Sequence, residues 1–390
     1  MKKIILLIPL LLLLTGCYNY RELNDLAIIS GVSISKNENT YKITTEIINP
    51  KKEQDTSSGK EPDYIIYEGT GSSMQEAIRS IVKESPQKLY GAHMEILIID
   101  EETAKEGIND ILDFFARDPE IRSEFYVLVG KNNKTLEVIT PLVNISSKNI
   151  TNSLISTNTY LGTANLITYH QLIDEYINPY QEIALPSIEI KGNEQEGETN
   201  ENIEKTTADA NNFISTMTVF KNGKLLGYLN EEESLAFNLI MNNTNTVLIR
   251  NKYDEDKYII NELIDTKTSL KANVKKKEII ISIKGTASIS DLNYHINLES
   301  KKEIEKIQTK LNKTVEKMIK ETIENTNNLY NSDIYGFKNL FYKTNPQEFK
   351  KLIKEIKEEN FLTNINYKIN SNITLIEKGS LNGGIYNDQK

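Results

Sequence analysis

Asp63-Tyr64-Ile65-Ile66-Tyr67-Glu68-Gly69-Thr70-Gly71 opens residues 63–130, where the order of strands and helices is easiest to predict. The run to Glu68 is rich in β-branched and aromatic residues, which favours a strand, and the two glycines then turn the chain. Ser72 or Ser73 stands where a helix N-cap belongs, ahead of apolar residues at helical spacing. Those apolar residues are Ala77, Ile78, Ile81 and Val82. The pattern predicts a strand followed by an amphipathic helix.

Two more strands and a second helix follow in the same part of the chain. Residues 95–100 form a short, almost wholly apolar run, and residues 125–130 have the character of a buried strand. Between them, one helix face is marked by Ile108, Ile111, Leu112 and Phe115. This helix should end before Pro119, because a proline disfavours the helical conformation of the preceding residue. The alternation predicts a mixed sheet with helices packed on it.

The chain divides into two α+β blocks. Its 390 residues suggest two or more domains. Residues 191–212 are acidic and polar and have almost nothing to bury, which is typical of a loop or linker. We therefore expect an N-terminal α+β domain over residues 26–190, an acidic linker over 191–212 and a C-terminal α+β domain over 213–385.

Local signals define several elements within these blocks. Residues 26–35 and 41–48 should form a hairpin. Asn222-Gly223 favours the left-handed backbone of a type I′ turn between two further strands. Asn230, followed by three glutamates, has the pattern of a helix start. The longest amphipathic helix should span residues 301–326, with its apolar face made of Ile304, Ile307, Leu311, Val315, Met318, Ile319 and Ile323.

The N-terminus has the pattern of a secretory signal. Lys2 and Lys3 precede an apolar run from Ile4 to Leu14 that is shorter than the ~20 residues of a membrane-spanning helix. The final Leu14-Thr15-Gly16-Cys17 resembles a bacterial lipobox. The resemblance implies that residues 1–16 are a signal peptide and that Cys17 becomes an N-palmitoyl, S-diacylglycerol cysteine. Two acyl chains give stable anchoring where one is marginal. Residues 17–25 would then be a short lipidated tether.

Two alternatives for Cys17 are a simple secretory signal with a chance cysteine, and an uncleaved anchor. Cys17 is the only cysteine in the chain, which excludes an intrachain disulfide and a multi-cysteine metal site. A lone cysteine beside a signal core fits lipidation better than catalysis.

The charge balance is acidic, with 46 basic and 55 acidic residues and a formal net charge of −9. An acidic body has no electrostatic attraction to nucleic acid or to anionic lipid. We therefore expect no nucleic-acid partner, and membrane attachment through lipid alone.

The sequence offers few groups for catalysis or cofactor binding. The three histidines, His93, His170 and His295, lie far apart, and none belongs to a zinc-binding pattern. Gly69-Thr70-Gly71 could form a phosphate loop, but it lacks a third glycine and a following Lys-Ser/Thr, so a plain turn is the better interpretation. His93, just before an apolar strand, is expected to be buried and hydrogen-bonded and not a ligand. We predict no catalytic, cofactor-binding or metal-binding residues and no enzymatic activity.

Four stretches resemble the Ger(x)C family, the lipoprotein C subunits of spore germinant receptors. The first is residues 17–34, with Cys17, a polar tether and Glu22-Leu23-Asn24-Asp25-Leu26-Ala27-Ile28-Ile29-Ser30-Gly31. The second runs from Gln75-Glu76-Ala77-Ile78-Arg79 to Arg117-Asp118-Pro119-Glu120-Ile121-Arg122. The third is residues 219–230, and the fourth is Asp333-Ile334-Tyr335-Gly336-Phe337 with Pro346. The chain departs from the family in lacking tryptophan altogether, and in having Ser35 where aspartate is common.

The resemblance implies a non-enzymatic receptor subunit with an α+β fold of three domains, so one of our two blocks would hold two subdomains. Such proteins are anchored on the outer face of the spore inner membrane. They act with integral-membrane A and B subunits in the response to nutrient germinants, which leads to release of ions and dipicolinate. Apart from the lipidated cysteine, the family supplies no binding or catalytic residue to carry over.

A second function class stays open, that of a substrate-binding lipoprotein of a transporter. Both classes begin with a lipobox. A solute binder should have a deep interdomain cleft with convergent polar groups. A docking subunit should instead present apolar or aromatic surface to membrane partners.

Overall fold

The computed structural model describes residues 25–49, 63–85, 87–139, 146–197, 202, 205–244, 246–253, 256–294 and 296–377. These residues form two mixed sheets with packed helices, which confirms the predicted multi-domain α+β class. How many subdomains the chain contains stays a prediction.

The first sheet has nine strands and holds the hairpin and the strand-helix alternation found in the sequence. Its strands are β1 (Leu26–Asn37), β2 (Thr40–Ile48), β3 (Tyr64–Gly71), β4 (Lys88–Tyr90), β5 (Ile96–Asp100), β6 (Tyr126–Gly130), β7 (Pro186–Gly192), β8 (Ala210–Lys221) and β9 (Lys224–Tyr228). The spatial order is β3-β2-β1-β5-β6-β7-β8-β9, with β4 beside β1. The central strands β1, β5, β6 and β7 are parallel to their neighbours in this order. Antiparallel pairing adds β2 and β3 at one end of the sheet and β8 and β9 at the other.

Helices cover both faces of this sheet. They are α1 (Met74–Ile81), α2 (Glu101–Glu106), α3 (Asn109–Arg117), α4 (Leu136–Ile139), α5 (Ser147–Ser156), α6 (Tyr169–Tyr176) and α7 (Glu194–Gly197). One hydrophobic cluster includes Ile34, Leu97 and Phe115, and a second includes Ile96, Leu128 and Leu154. Adjacent residues of β5 thus enter different clusters, because side chains alternate across a strand. A parallel strand buried on both faces is almost wholly apolar, as residues 96–100 are.

The second sheet has the order β10 (Val247–Lys252), β11 (Tyr258–Asn273), β12 (Glu278–Leu292) and β13 (Asn366–Glu377). Its helices are α8 (Glu231–Met241), α9 (Lys301–Tyr330), α10 (Phe337–Thr344) and α11 (Pro346–Ile356). The helix expected at residues 301–326 is α9, and the apolar residues from Ile307 to Ile323 on its predicted face are buried. None of the described helices combines the length and hydropathy needed to cross a bilayer.

Some of the described residues between 191 and 212, which we expected to form a loop, have regular secondary structure. Strand β7 extends to Gly192, α7 follows, and β8 begins at Ala210, which pairs with Gly192. Strands β8 and β9 therefore continue the first sheet beyond the predicted linker. The division of the chain at this linker stays a prediction.

Candidate functional site: an interdomain groove

Cys17 lies outside the described residues, as does His295, so the lipidation site stays a prediction. The structure does not bring His93 and His170 into a common site. The expectation that His93 is buried was wrong, because its side chain is exposed; its ring centroid lies 6.3 Å from that of Tyr90. His170 is also exposed, with Nε2 3.9 Å from Asp174. Among the described residues, no three His, Cys, Asp or Glu side chains are close enough to hold a metal ion.

Gly69 and Gly71 are glycines because the end of β3 lies directly on α1. A Cβ on Gly69 would lie 2.1 Å from the carbonyl oxygen of Ala77, and one on Gly71 would lie 2.5 Å from the Ala77 nitrogen. The helix N-cap is Ser73, one of the two predicted serines. The glycines thus serve the packing of a strand on a helix.

A groove with a volume of about 1480 Å³ lies between the two sheets. Its walls are the end of α5 with the following turn, the Asn212–Thr216 part of β8, strand β10, and the Lys310–Glu321 face of α9. We refer to it as the interdomain groove. Its volume exceeds the roughly 300–1,000 Å³ of pockets that enclose small ligands.

A π-helical turn, Thr157–Leu161, carries the most exposed apolar residues of the groove. Tyr160 is 70% exposed and Leu161 54%. The turn is anchored to the second block, since Asn158 Nδ2 donates to the Asn243 carbonyl at 2.6 Å and Thr244 Oγ1 donates to the Asn158 carbonyl at 3.2 Å. Single π-turns are rare and are frequent at functional sites.

Gly162 ends this turn with φ +70°. A Cβ there would lie 2.6 Å from Val247 Cγ1, so the turn sits directly against β10. Asn238 Nδ2 donates to the Gly162 carbonyl at 2.8 Å. These contacts set the position of Tyr160 relative to the wall formed by β10.

Apolar and charged side chains alternate on the β10 wall. Leu248, Arg250 and Lys252 line the groove, whereas Val247, Ile249 and Asn251 are buried. The Arg250 guanidinium lies 4.1 Å from the centroid of the Tyr258 ring, in cation–π geometry. Together with Lys310 of α9, Arg250 and Lys252 form a basic wall. Glu231, Glu232 and Glu321 also line the groove, and Glu321 pairs with Lys317 at 3.6 Å.

The opposite wall is more balanced in charge. Lys131 Nζ is 3.2 Å from Glu189 Oε1, which also accepts a hydrogen bond from Ser215 Oγ. Phe213 of β8 is 40% exposed beside this pair. Thr216 is 8% exposed, and its Oγ1 has no hydrogen-bond partner among the residues that the structure describes.

The stretches that carried the family resemblance meet at the β8–β9 hairpin, away from the groove. Asn222 and Gly223 both have positive φ, as the predicted type I′ turn requires. The Gly223 carbonyl accepts from the Ile108 amide at 3.0 Å, and the Asn222 amide donates to Glu182 at 2.8 Å. The Glu182 amide in turn donates to the Asp333 carbonyl at 3.0 Å. The second, third and fourth stretches therefore build one junction between the blocks.

Asp333 has two tasks at this junction. Its carboxylate accepts from the amides of Phe337 and Lys338, at 2.9 and 2.7 Å, and so caps α10. Asp333 is 1% exposed, and this burial raises its pKa to about 6, whereas the two amide hydrogen bonds act in the opposite direction. Burial alone raises the pKa of Glu175, on α6, to about 7.

Sequence reasoning missed the interdomain groove because its walls come from segments far apart in the chain. One signal was available, the alternation in Val247-Leu248-Ile249-Arg250-Asn251-Lys252, which places a leucine and two cations on one strand face. No such signal predicts that β9 leaves residues 212–216 of β8 uncovered, because this follows from the pairing of β8 with β9, which spans only Thr218 to Lys221.

Comparison with known proteins gives a consistent family assignment. Residues 19–190 match the family model "Spore germination protein N-terminal domain", and residues 215–379 match "Spore germination B3/ GerAC like, C-terminal". Spore germination protein KC of Bacillus subtilis (strain 168) is 27% identical over 361 residues, which cover 89% of this chain and 88% of that protein. Spore germination protein GerQC of Bacillus cereus is 21% identical over 81% of this chain and 84% of its own.

A solved structure also shares the fold. The crystal structure of the GerBC protein superposes with a TM-score of 0.51 at 14% sequence identity, covering 89% of this chain and 97% of that chain. The two family models match most of the chain, one on each side of the predicted linker. The chain therefore belongs to the GerAC-like family of spore germination proteins, the Ger(x)C family that its sequence motifs resemble.

Proposed function

We propose that this protein is a non-enzymatic subunit of a nutrient germinant receptor, attached to the outer face of the spore inner membrane through lipid on Cys17. The observation that carries the proposal is the match of both family domains across the chain. Relatives that align with most of its length are named as spore germination proteins. The lipobox-like Leu14-Thr15-Gly16-Cys17 supports the lipid anchor.

In this role the protein acts with integral-membrane A and B subunits. Its structural part is to hold two α+β blocks in a fixed arrangement through the junction at Asp333 and the hairpin turn at Gly223. Exposed apolar side chains, such as Tyr160 and Leu161, offer surface for protein contacts.

The test is the germination response of spores that lack the protein. Spores of the source strain, of a clean deletion and of the complemented deletion are exposed to a panel of nutrients, and dipicolinate release is followed. The proposal predicts that the deletion abolishes the response to at least one nutrient and that complementation restores it. An unchanged response to every nutrient that triggers the parent strain would contradict it.

The alternative, a solute-binding lipoprotein of a transporter, rests on the interdomain position of the groove. The groove is open, and serine, threonine and asparagine side chains such as Ser156, Asn212 and Asn230 line it beside the apolar and charged residues. Saturable binding of one nutrient by the isolated lipid-free protein would favour the solute-binding function over the receptor subunit.

A further inference from the structure

Two strand edges without a second strand partner line the interdomain groove. Strand β10 is the edge of the second sheet and pairs only with β11 among the described strands. Strand β8 pairs with β7 along residues 210–217, but with β9 only from Thr218 to Lys221. Within the described part of the chain, the Asn212–Thr216 part of β8 therefore has a strand on one side only.

The hydrogen-bonding phase of β10 identifies which backbone groups face the free edge. The Tyr253 amide donates to the Lys257 carbonyl, at 2.8 Å, on the β11 side. In an antiparallel pair, successive residues direct their N–H and C=O groups to opposite sides of the strand. The amides and carbonyls of Leu248, Arg250 and Lys252 accordingly face away from β11.

At one end of the β8 edge, the backbone groups already have hydrogen-bond partners. The Asn202 side chain imitates a strand there, since its Oδ1 accepts from the Ala210 amide at 3.2 Å and its Nδ2 donates to the Ala210 carbonyl at 3.1 Å. At the other end, Thr216 lines the groove and is more than nine-tenths buried, and no described residue forms a hydrogen bond with its Oγ1. A buried hydroxyl without a partner costs free energy, so a polar group supplied by an occupant would be favourable there.

We propose that the interdomain groove binds an extended segment of a partner polypeptide, which adds as a strand to the free edge of β10. Strand addition obtains affinity from main-chain hydrogen bonds and specificity from alternate side chains. The groove defines that alternation, with Leu248, Phe213 and Tyr160 as apolar contacts and Arg250, Lys252 and Lys310 as a basic wall. Because Leu248, Arg250 and Lys252 share one face of β10, the segment should carry an apolar residue opposite Leu248 and acidic residues opposite Arg250 and Lys252.

The proposal rests on the proposed function in one respect: that function implies that the partner is a protein of the spore membrane. It goes beyond that function by stating where the partner binds and what its segment looks like. A free carboxylated solute is the competing occupant, and the experiment separates the two.

The experiment places a photoreactive phenylalanine analogue at position 160 of the full-length protein in spores. Position 177 is the matched control, because Ile177 is 68% exposed and does not line the groove. After irradiation, cross-linked peptides are identified by mass spectrometry. We expect position 160 to cross-link to an acidic segment of a membrane protein with alternating apolar residues, and position 177 not to cross-link to that segment.

Reversing the charge of the basic wall tests whether the cross-link from position 160 depends on it. Arg250→Glu with Lys252→Glu should lower the yield from position 160 by about tenfold, corresponding to about 1.4 kcal/mol. Lys267→Glu with Lys271→Glu makes the same charge change on exposed residues of β11 outside the groove and should leave the yield unchanged. Circular dichroism spectra and melting temperatures of the two double variants that match those of the wild type would exclude misfolding as the cause.

Three results would overturn the proposal: no protein cross-link from position 160, a cross-link that both charge reversals leave unchanged, or a cross-link to a segment without acidic residues. If A- and B-type subunits co-purify with the protein while position 160 gives no cross-link, the receptor function stands and only the groove assignment fails.

Discussion

The Ser147 amide donates to both oxygens of the Glu46 carboxylate, at 3.1 Å each. Ser30 Oγ donates to the same carboxylate at 2.6 Å. Glu46 is fully buried on β2, and Ser147 is the first residue of α5, where a negative charge is favoured by the helix dipole. One carboxylate therefore attaches α5, which leads to the Tyr160 turn of the interdomain groove, to the first hairpin of the fold.

Replacing Glu46 should destabilise the protein. Glu46→Ala leaves the Ser147 amide without its acceptor in a buried site, at about 1–3 kcal/mol. The Ser30 hydroxyl loses its 2.6 Å bond to the carboxylate and keeps only the Glu46 backbone carbonyl, at 3.2 Å. We expect a loss of at least about 2 kcal/mol in the free energy of unfolding, measured by urea denaturation. The matched control is Glu68→Ala on β3, whose exposed carboxylate pairs with Lys42 and should contribute less than about 1 kcal/mol. Equal losses in the two variants would contradict this role of Glu46.

Gly31 should not tolerate a side chain. A Cβ at this position would lie 1.9 Å from Ser147 Oγ and 3.2 Å from Ile96 Cγ2. Gly31→Ala should cost about 1–3 kcal/mol through overpacking. Combining it with Ser147→Gly removes the nearest atoms, so the double variant should be more stable than the sum of the single effects predicts. Gly285→Ala, whose Cβ would meet nothing closer than 3.2 Å, is the control. Additive effects of Gly31→Ala and Ser147→Gly would refute a direct steric conflict.

Asp333 should give the folding free energy a pH dependence. Burial raises its pKa in the folded state from 3.8 to about 6. A raised folded pKa means that the folded state binds the proton more tightly, so this contribution is full below pH 3.8 and is lost as pH rises through about 6. The shift corresponds to about 3 kcal/mol.

The measurement compares the free energy of unfolding of the wild type and Asp333→Asn between pH 4 and pH 7. Asparagine does not titrate, so the stability of the wild type relative to the variant should fall as pH rises across this interval. A difference that stays constant from pH 4 to pH 7 would show that Asp333 does not titrate between these limits.

Cys17 is expected to control membrane attachment, because the lipobox-like Leu14-Thr15-Gly16-Cys17 assigns the lipid to this residue. Cys17→Ala should move the protein from the membrane fraction to the soluble fraction without changing its melting temperature. Thr15→Ala keeps Leu14, Gly16 and Cys17 and should leave the protein in the membrane fraction. If Cys17→Ala protein stayed with the membrane while its partners were present, protein contacts would be the main anchor.

Local signals in the sequence predicted much of the fold. The Asn222-Gly223 turn, the Asn230 cap and the apolar face of α9 depend on neighbouring residues, and all three are present in the structure. The exposure of His93 was missed because an apolar strand follows it closely and its neighbours Ala92 and Met94 are buried, whereas the His93 side chain alone in this turn faces solvent. The groove and the Glu46–Ser147 contact join distant segments, and no local pattern encodes which distant segments meet.

The most direct test of the central claim is affinity capture of the lipidated protein from detergent-solubilised spore inner membranes, followed by mass spectrometry. Cys17→Ala protein, expressed at the same level, is the control for attachment to the membrane. The account predicts that A- and B-type germinant-receptor subunits are recovered with the wild-type protein. Recovery of a transporter permease and its ATPase, or of no integral-membrane partner, would contradict it.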